Sequence, residues 1–142
     1  MGSAKRGEAR RTSAQRDPEG RAPGARAAFA IRLTAGAIFV AFGIGKFVAY
    51  DIEVASFESY GLPWPEGFVI AVGVIEVVGG LALILGLLTR PVAFVLAGNM
   101  AGAIVVSGIG EGETISLTLA PALLVAMLVL LRIGPGERAL SA

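Results

Sequence analysis

The chain has 142 residues, of which 55% are hydrophobic and 16% charged, with 12 Lys and Arg against 11 Asp and Glu. Soluble domains carry about 25% charged residues, so this composition indicates a membrane protein. Cysteine and histidine are both absent, which excludes disulfides, thiol redox pairs, iron–sulfur clusters and the usual haem and zinc ligands. A redox role would therefore depend on a bound organic cofactor, on a substrate such as a quinone, or on a partner protein.

The first 26 residues form a basic segment that contains no bulky apolar residue after Met1. Such a segment cannot bury enough apolar surface to fold alone, so we predict a disordered cytoplasmic tail over residues 1–26. The Arg10-Arg11 pair raises the alternative of a twin-arginine signal. The apolar run begins only about 16 residues after that pair, which favours the tail.

Four apolar stretches follow the tail, at about 27–50, 68–88, 92–109 and 115–131. A helix crosses a hydrocarbon core of ~30 Å with roughly 20 residues, so each stretch can span a bilayer. Strands of a membrane barrel would show alternating apolar and polar residues, and these stretches do not. The sequence therefore predicts an all-α fold, a four-helix transmembrane bundle over residues 27–133, with Thr114 or Ser116 capping the fourth helix. Residues 134–142 are predicted to form a short cytoplasmic tail.

Charges outside the spans separate by sign. All charged residues in the loops after the first and third spans are acidic. They are Asp51, Glu53, Glu58, Glu66, Glu111 and Glu113. Basic residues lie in the N-terminal tail, in the turn after the second span (Arg90) and after the fourth (Arg132 and Arg138). Because cytoplasmic loops carry the excess of Lys and Arg, we predict that both termini are cytoplasmic and that the protein crosses a bacterial plasma membrane.

Two charged residues lie inside the predicted spans, Lys46 in the first and Glu76 in the second. At a rise of 1.5 Å per residue, Lys46 is ~6 Å and Glu76 ~12 Å below the outer surface. Lys46 can either pair with Glu76 or extend its stem to the headgroups. Glu76 is shorter and deeper, so we expect it to face the bundle interior beside a polar partner.

Small residues accompany these charges. Gly36 and Gly43 share a helical face with Lys46, and Gly73 and Gly80 share one with Glu76, which favours close approach of the two helices. In the third span, Gly98-x-x-x-Gly102 predicts a helix-packing face. Asn99 lies next to it, at about the depth of Glu76. Lys46, Glu76 and Asn99 are thus the predicted intramembrane polar site.

Arg32, Arg90 and Ser107 are secondary candidates. The two arginines lie near the predicted inner surface, where anchoring in the headgroups competes with ligand binding as an explanation. Ser107 could add a weaker hydrogen bond to the polar site. The sequence contains no nucleotide loop, metal-ligand cluster, serine nucleophile with a base or nucleic-acid motif, so we assign no catalytic residue, metal site or nucleic-acid partner.

Several short motifs together resemble the DoxX family of small integral membrane proteins. They are Arg32, Gly36, Phe39, Gly43 and Lys46 in the first span, YGLP at 60–63, IEVVGGLALILGLLTR at 75–90, and Asn99-Met100-Ala101. The resemblance covers about residues 28–132 and implies a four-helix membrane protein. It also implies an association with thiosulfate:quinone oxidoreduction or with membrane redox and detoxification complexes. Arg32, Lys46, Glu76 and Arg90 match the family pattern, which assigns them no catalytic role.

Three functional hypotheses follow. In the first, the protein is a membrane subunit or small-molecule binding module in redox or stress physiology, and its polar site holds a quinone headgroup. In the second, it is a transporter or ion-permeable module with Glu76 as a proton or cation site. In the third, it is an assembly factor whose polar cluster sets helix register. The first requires a protein partner in a membrane redox complex, or a diffusible quinone, to carry electrons. In all three the bilayer surrounds the protein, and oligomerisation is compatible with each.

Overall fold

The structure, a computed structural model, describes residues 24–136 and 138–140. Over these residues it has five helices and no strand, namely α1 (Ala25–Val48), α2 (Tyr50–Ser59), α3 (Pro65–Leu85), α4 (Thr89–Ala103, continued as a π-helix over Ile104–Ile109) and α5 (Thr114–Ile133). Four of them, α1, α3, α4 with its π-helical end, and α5, are long and apolar enough to cross a membrane. The predicted all-α bundle with four spans is therefore confirmed. Most of the predicted disordered tail lies outside the described residues.

Helix α2 occupies the segment that the sequence predicts as a loop, so that prediction was wrong. The segment lacks the long apolar run that identifies a span, and none of its residues is buried. Asp51 and Glu53 stabilise its first turn by complementing the helix dipole. The α2 backbone comes within 8 Å of α1 and α3 but, over the described residues, of neither α4 nor α5. Helix α2 is thus carried by the first pair of spanning helices alone.

The spanning helices form two hairpins, α1 with α3 and α4 with α5. In the first hairpin the backbones meet at glycines. A Cβ added to Gly36 would lie 2.7 Å from the carbonyl oxygen of Gly80, and one added to Gly43 would lie 2.8 Å from that of Gly73. Real Cβ atoms do not tolerate such distances, so glycine is required here and brings the two helices closer than side chains would allow.

The second hairpin packs through larger side chains. Leu96 and Met100 of α4 and Leu123, Met127 and Leu130 of α5 are buried in one core cluster. The predicted packing face of Gly98 and Gly102 is wrong, because both glycines are exposed and a Cβ added to either would meet nothing within 4 Å. Helix α4 packs the face that carries Leu96 and Met100 against α5, and over the described residues Gly98 and Gly102 lie outside that contact.

Helix ends place the loops at two ends of the bundle. Helix α3 ends at Gly86, whose φ of 71° is in the left-handed region that favours glycine. Helix α5 begins after Glu113, whose side chain accepts a hydrogen bond from the backbone N–H of Ser116 at 3.1 Å. Neither Thr114 nor Ser116 is the capping residue that the sequence analysis predicted. An acidic side chain caps a helix in the same way as a hydroxyl and also complements the dipole.

We call the end that holds residues 49–64 and 110–113 the α2 end, and the opposite end the terminal end. At the terminal end, the backbone N–H of Leu140 donates to the carbonyl of Leu85 at 3.2 Å. Gly136 lies against Ala25 and Ala28, so close that an added Cβ would be 2.5 Å from the Ala25 carbonyl oxygen. The described part of the C-terminal segment therefore folds back onto the bundle.

The glycine contacts predict a difference in stability between two similar substitutions. We expect Gly80→Ala to destabilise the protein by roughly 1–3 kcal/mol, because its Cβ would lie 2.6 Å from the Gly36 carbonyl oxygen. Gly102→Ala, where the Cβ meets nothing within 4 Å, is the matched control and should be close to neutral. Reversible unfolding in mixed micelles measures both free energies, and equal effects would contradict the packing described here.

Candidate functional site

An ion pair connects α1 and α3 inside the first hairpin. The Nζ atom of Lys46 lies 3.1 Å from Oε2 of Glu76, and the two side chains are 12% and 4% exposed. Lys46 is in the last turn of α1, and Glu76 lies in the middle of α3. Gly43 and Gly73 each precede a charged residue by about one turn, and the close backbone contact there shortens the reach between the side chains. Of the two alternatives for Lys46, the structure shows the pair.

Asn99 reaches the same carboxylate from the second hairpin. Its Nδ2 donates to Oε1 of Glu76 at 3.1 Å, so each carboxylate oxygen has a partner on a different helix. The α1 and α4 backbones do not come within 8 Å of each other over the described residues. Glu76 of α3 therefore joins the three predicted site residues, because it meets Lys46 of α1 on one oxygen and Asn99 of α4 on the other.

A cavity of about 500 Å³ lies beside this group, between the hairpins and toward the α2 end. Five aromatic rings contribute to its wall: Phe39, Phe42, Phe57, Tyr60 and Phe68. Lys46, Glu76 and Asn99 also line it. Small-molecule sites are typically apolar cavities of about 300–1,000 Å³ with a few convergent polar groups, and this cavity has those properties.

Helix α2 contributes the part of the wall nearest its own end, through Glu53, Ser56, Phe57 and Tyr60. Burial raises the pKa of Tyr60 above the ordinary phenol value, and the negative charges of Glu113 and Glu53 raise that pKa further. Two acids, Glu53 and Glu113, thus lie in the cavity wall at the α2 end, whereas an ion pair lies deeper inside.

A second polar cluster lies where α4 meets α5. The hydroxyls of Ser107 and Ser116 are 2.6 Å apart, and the carbonyl of Ala103 lies 2.8 Å from the Ser107 hydroxyl, which has one proton to donate to one or the other. The hydroxyl of Ser116 donates to the carboxylate of Glu113. Ser107 was a predicted secondary candidate and does line the cavity, but its partners are Ala103 in α4 and Ser116 in α5, and neither belongs to the Lys46–Glu76–Asn99 group.

Sequence reasoning missed the contributions of Tyr60, Glu113 and Ser116 to the cavity. Ser107 lies in the π-helical segment, a distortion that is often found at functional sites. Nothing in the residues IVVSGI distinguishes a π-helix from an α-helix. The prediction of a loop where α2 forms hid the role of Tyr60, which depends on that helix.

The structure does not bring Arg32 and Arg90 to the cavity. Arg32 is 0% exposed near the terminal end, where its Nη1 donates to the carbonyl of Leu83 at 3.2 Å and its guanidinium lies 5.5 Å from the ring centre of Phe29. It is 14 residues before Lys46 in α1, or roughly 21 Å along the helix. Arg90 is exposed at the same end. Arg32 thus lies inside the protein and not at a headgroup surface.

The chemical capability of the site follows from these groups. An ammonium and an amide can donate hydrogen bonds, and a carboxylate beside them can accept a bond or exchange a proton. Aromatic walls favour a flat, apolar ligand. Over residues 24–136 and 138–140, no three acidic side chains come together as ligands for a metal ion.

The buried pair predicts strong coupling between Lys46 and Glu76. We expect Lys46→Met alone to destabilise the protein by roughly 3 kcal/mol, because it leaves a carboxylate inside the bundle without its counter-charge. Lys46→Met combined with Glu76→Leu should recover much of that loss, since both charges are then removed. A double-mutant cycle of unfolding free energies in micelles measures the coupling. Additive single effects would contradict it.

The environment of Tyr60 predicts its titration. In a Tyr50→Phe background, which leaves Tyr60 as the one tyrosine, the phenol should ionise above the ordinary pKa of about 10. Because the folded state favours the neutral phenol, this group stabilises the fold below that ordinary pKa, and the contribution is lost as the pH rises through the folded pKa.

Adding Glu113→Gln should lower the Tyr60 pKa while keeping an oxygen that can accept from Ser116. The ultraviolet absorbance of the phenolate follows the titration. An unchanged pKa in the Gln variant would contradict the assigned cause.

Comparison with known proteins gives the family. The DoxX family model matches residues 27–108, more than half of the chain, and α5 lies beyond the matched range. "Uncharacterized membrane protein Rv3486" of Mycobacterium tuberculosis is 40% identical over 87 residues, which are 61% of this chain and 53% of the relative.

Two further relatives have similar coverage. "Putative oxidoreductase CatD" of Bacillus subtilis is 37% identical over 75 residues, 53% of this chain and 54% of the relative. An uncharacterised protein of Haemophilus influenzae is 36% identical over 72 residues, 50% of this chain and 51% of the relative. The chain thus spans about half the length of these relatives, and no solved structure has significant similarity to it. On the match to the family model and on its four apolar helices, this chain belongs to the DoxX family of multi-pass membrane proteins.

Proposed function

We propose that this protein is a membrane module that binds a quinone-like carbonyl compound in a bacterial redox or stress-response system. The observation that supports this most is the placement of Lys46, Glu76 and Asn99 in the wall of an aromatic cavity. A quinone headgroup is flat and apolar and has carbonyl oxygens at its edge, so it matches both parts of that wall. Bound there, it would supply two-electron redox chemistry.

The roles of the residues follow from their positions. The Lys46 ammonium donates a hydrogen bond to a carbonyl oxygen, and the Glu76 carboxylate takes up or releases a proton beside it. The rings of Phe39, Phe42 and Phe68 pack against the faces of the headgroup. The chain has no Cys or His, so electrons reach the site through a partner protein or through exchange of the ligand itself.

The relatives are consistent with this proposal. The Bacillus subtilis relative is named as a putative oxidoreductase, and this chain matches about half of its length. We infer that the present chain acts as a subunit or binding module, with the remaining chemistry supplied by a partner.

The charge distribution supports an orientation for the site. Arg90, Arg132 and Arg138 all lie at the terminal end, and the acidic loops lie at the α2 end. By the positive-inside rule the terminal end is cytoplasmic, and the cavity then belongs to the outer half of the plasma membrane. The proton that Glu76 exchanges would come from the outer side, past Glu53 and Glu113.

One observation favours a second candidate function. The cavity lies between two hairpins and has Glu53 and Glu113 near its α2 end, an arrangement that also suits a proton or cation site in a transporter. Ion flux through proteoliposomes that depends on Glu76 without any quinone would favour this transporter, and loss of folding alone in Glu76 variants would favour an assembly factor.

Binding of quinones to the purified protein tests the proposal. In lipid nanodiscs, we expect the wild type to bind a menaquinone or ubiquinone with a Kd that isothermal titration can measure. Lys46→Met should weaken binding by about tenfold or more, because it removes a charge-assisted hydrogen bond. Glu66→Gln, which removes one charge from an exposed acid in the first turn of α3, is the control and should bind with the wild-type affinity. Equal affinities in wild type and Lys46→Met would overturn the proposed site, and absence of binding to the wild type would overturn the ligand class.

A further inference from the structure

We infer that the cavity opens sideways into the bilayer between α3 and α4, at Gly98 and Gly102, and that its ligand carries a long apolar tail that occupies this opening. The inference rests on the proposed function for the ligand's headgroup. The opening itself rests on the geometry of α4.

The two glycines have an unusual position. Both line the cavity and both are exposed, and a Cβ added to either would meet nothing within 4 Å. The glycines of the first hairpin are different, because an added Cβ at Gly36, Gly43 or Gly80 would lie under 3 Å from a backbone oxygen of the facing helix. Helix packing therefore explains the first set and does not explain Gly98 and Gly102.

The neighbours of the two glycines on α4 face the membrane. Phe94 lies four residues before Gly98 and Val105 three residues after Gly102, on the same helical surface. They are 70% and 62% exposed, and neither lines the cavity. The surface of α4 thus passes from the lipid side into the cavity without a side chain in the way at the two glycines.

The depth of this surface decides what lies outside it. Gly98 is the tenth residue of the 21-residue span Thr89–Ile109, so it is ~14 Å from the start of the helix, near the middle of a ~30 Å hydrocarbon core. At that depth a gap between helices meets acyl chains and not water.

Helix α3 forms the edge of the opening that faces α4. Phe68 and Val72 line the cavity there, and Phe68 is also exposed. Neither α1 nor α2 approaches the α4 backbone within 8 Å over the described residues, so the backbone edges on this side are those of α3 and α4. Asn99 follows Gly98 directly and binds Glu76. A ligand that enters past Gly98 therefore brings its headgroup to the polar group while its tail remains at the glycines.

The substrate class follows from this geometry. The ligand dissolves in the membrane, has a carbonyl headgroup, and has an isoprenoid or alkyl tail of several carbons that contacts the bare α4 backbone. Each buried methylene contributes to affinity, so a headgroup without its tail should bind more weakly.

Bulky substitutions at the glycines test the opening. We expect Gly98→Leu and Gly102→Leu to weaken binding of a long-tailed menaquinone in nanodiscs by about tenfold, since leucine would occupy the path of the tail. Binding of tailless menadione should change less than about twofold, because the headgroup contacts remain. Gly45→Leu is the matched control. Gly45 is a half-buried glycine of α1 whose added Cβ also meets nothing within 4 Å, and it does not line the cavity.

A measurement without ligand separates this inference from the proposed function. The chain has no cysteine, so a nitroxide attached to Gly98→Cys or Gly102→Cys reports one position. We expect its relaxation to respond to oxygen and to spin-labelled lipid and to be insensitive to a water-soluble nickel complex. Ser56→Cys, on α2 at the other side of the cavity, should respond to the nickel complex.

Each outcome has a definite meaning. Lipid contact at Gly98 together with no quinone binding by the wild type would leave the opening standing and overturn the proposed function. Nickel contact at Gly98, or equal loss of menadione and menaquinone binding in the leucine variants, would overturn the opening. A wild-type dimer that the leucine variants abolish would assign the glycine surface to a second copy of the chain and would also overturn it.

Discussion

The carboxylate of Glu76 is the constraint on which the arrangement of this bundle depends. An ionised acid in a hydrocarbon core is costly unless neighbouring groups replace the water it has lost. Here Lys46 and Asn99 each engage one carboxylate oxygen, and they come from helices on either side of α3. The requirement for two partners thus fixes the positions of α1 and α4 relative to α3.

Backbone glycines make this arrangement reachable in the first hairpin. Gly43 and Gly73 lack the side chains that would hold α1 and α3 apart one turn from the charges, and Lys46 Nζ lies 3.1 Å from Glu76 Oε2. The second hairpin packs differently. Leucine and methionine side chains fill the contact between α4 and α5, and Gly98 and Gly102 of α4 take no part in it. The same residue type closes one interface and leaves another surface bare, and only the facing helix distinguishes the two.

That distinction explains what the sequence could and could not predict. The four spans are long uninterrupted apolar runs, so their number and approximate bounds were predictable, as was the closeness of the Gly36 and Gly80 faces. Two parts were not. Helix α2 has no apolar period long enough to stand out, none of its residues is buried, and its backbone lies near α1 and α3. The prediction that Gly98 and Gly102 pack against another helix was also wrong. A small-xxx-small pattern shows that a helix could approach closely, but it does not show whether one does. Arg32 was predictable as a family-like residue but not as a fully buried one, since its burial depends on the Leu83 carbonyl from another helix.

The connection between α1 and α2 has a mechanical consequence. One residue, Ala49, separates the end of α1 from the start of α2, and among the described helices the α2 backbone comes within 8 Å of α1 and α3 only. Helix α2, which forms the cavity wall at that end, therefore belongs with Lys46 to the first hairpin, whereas Asn99 belongs to the second hairpin. If the two hairpins moved apart, the hydrogen bond between Asn99 and Glu76 would lengthen first. Helix α2, Lys46 and Glu76 would move together, so the cavity would widen while Lys46 still compensated the charge of Glu76.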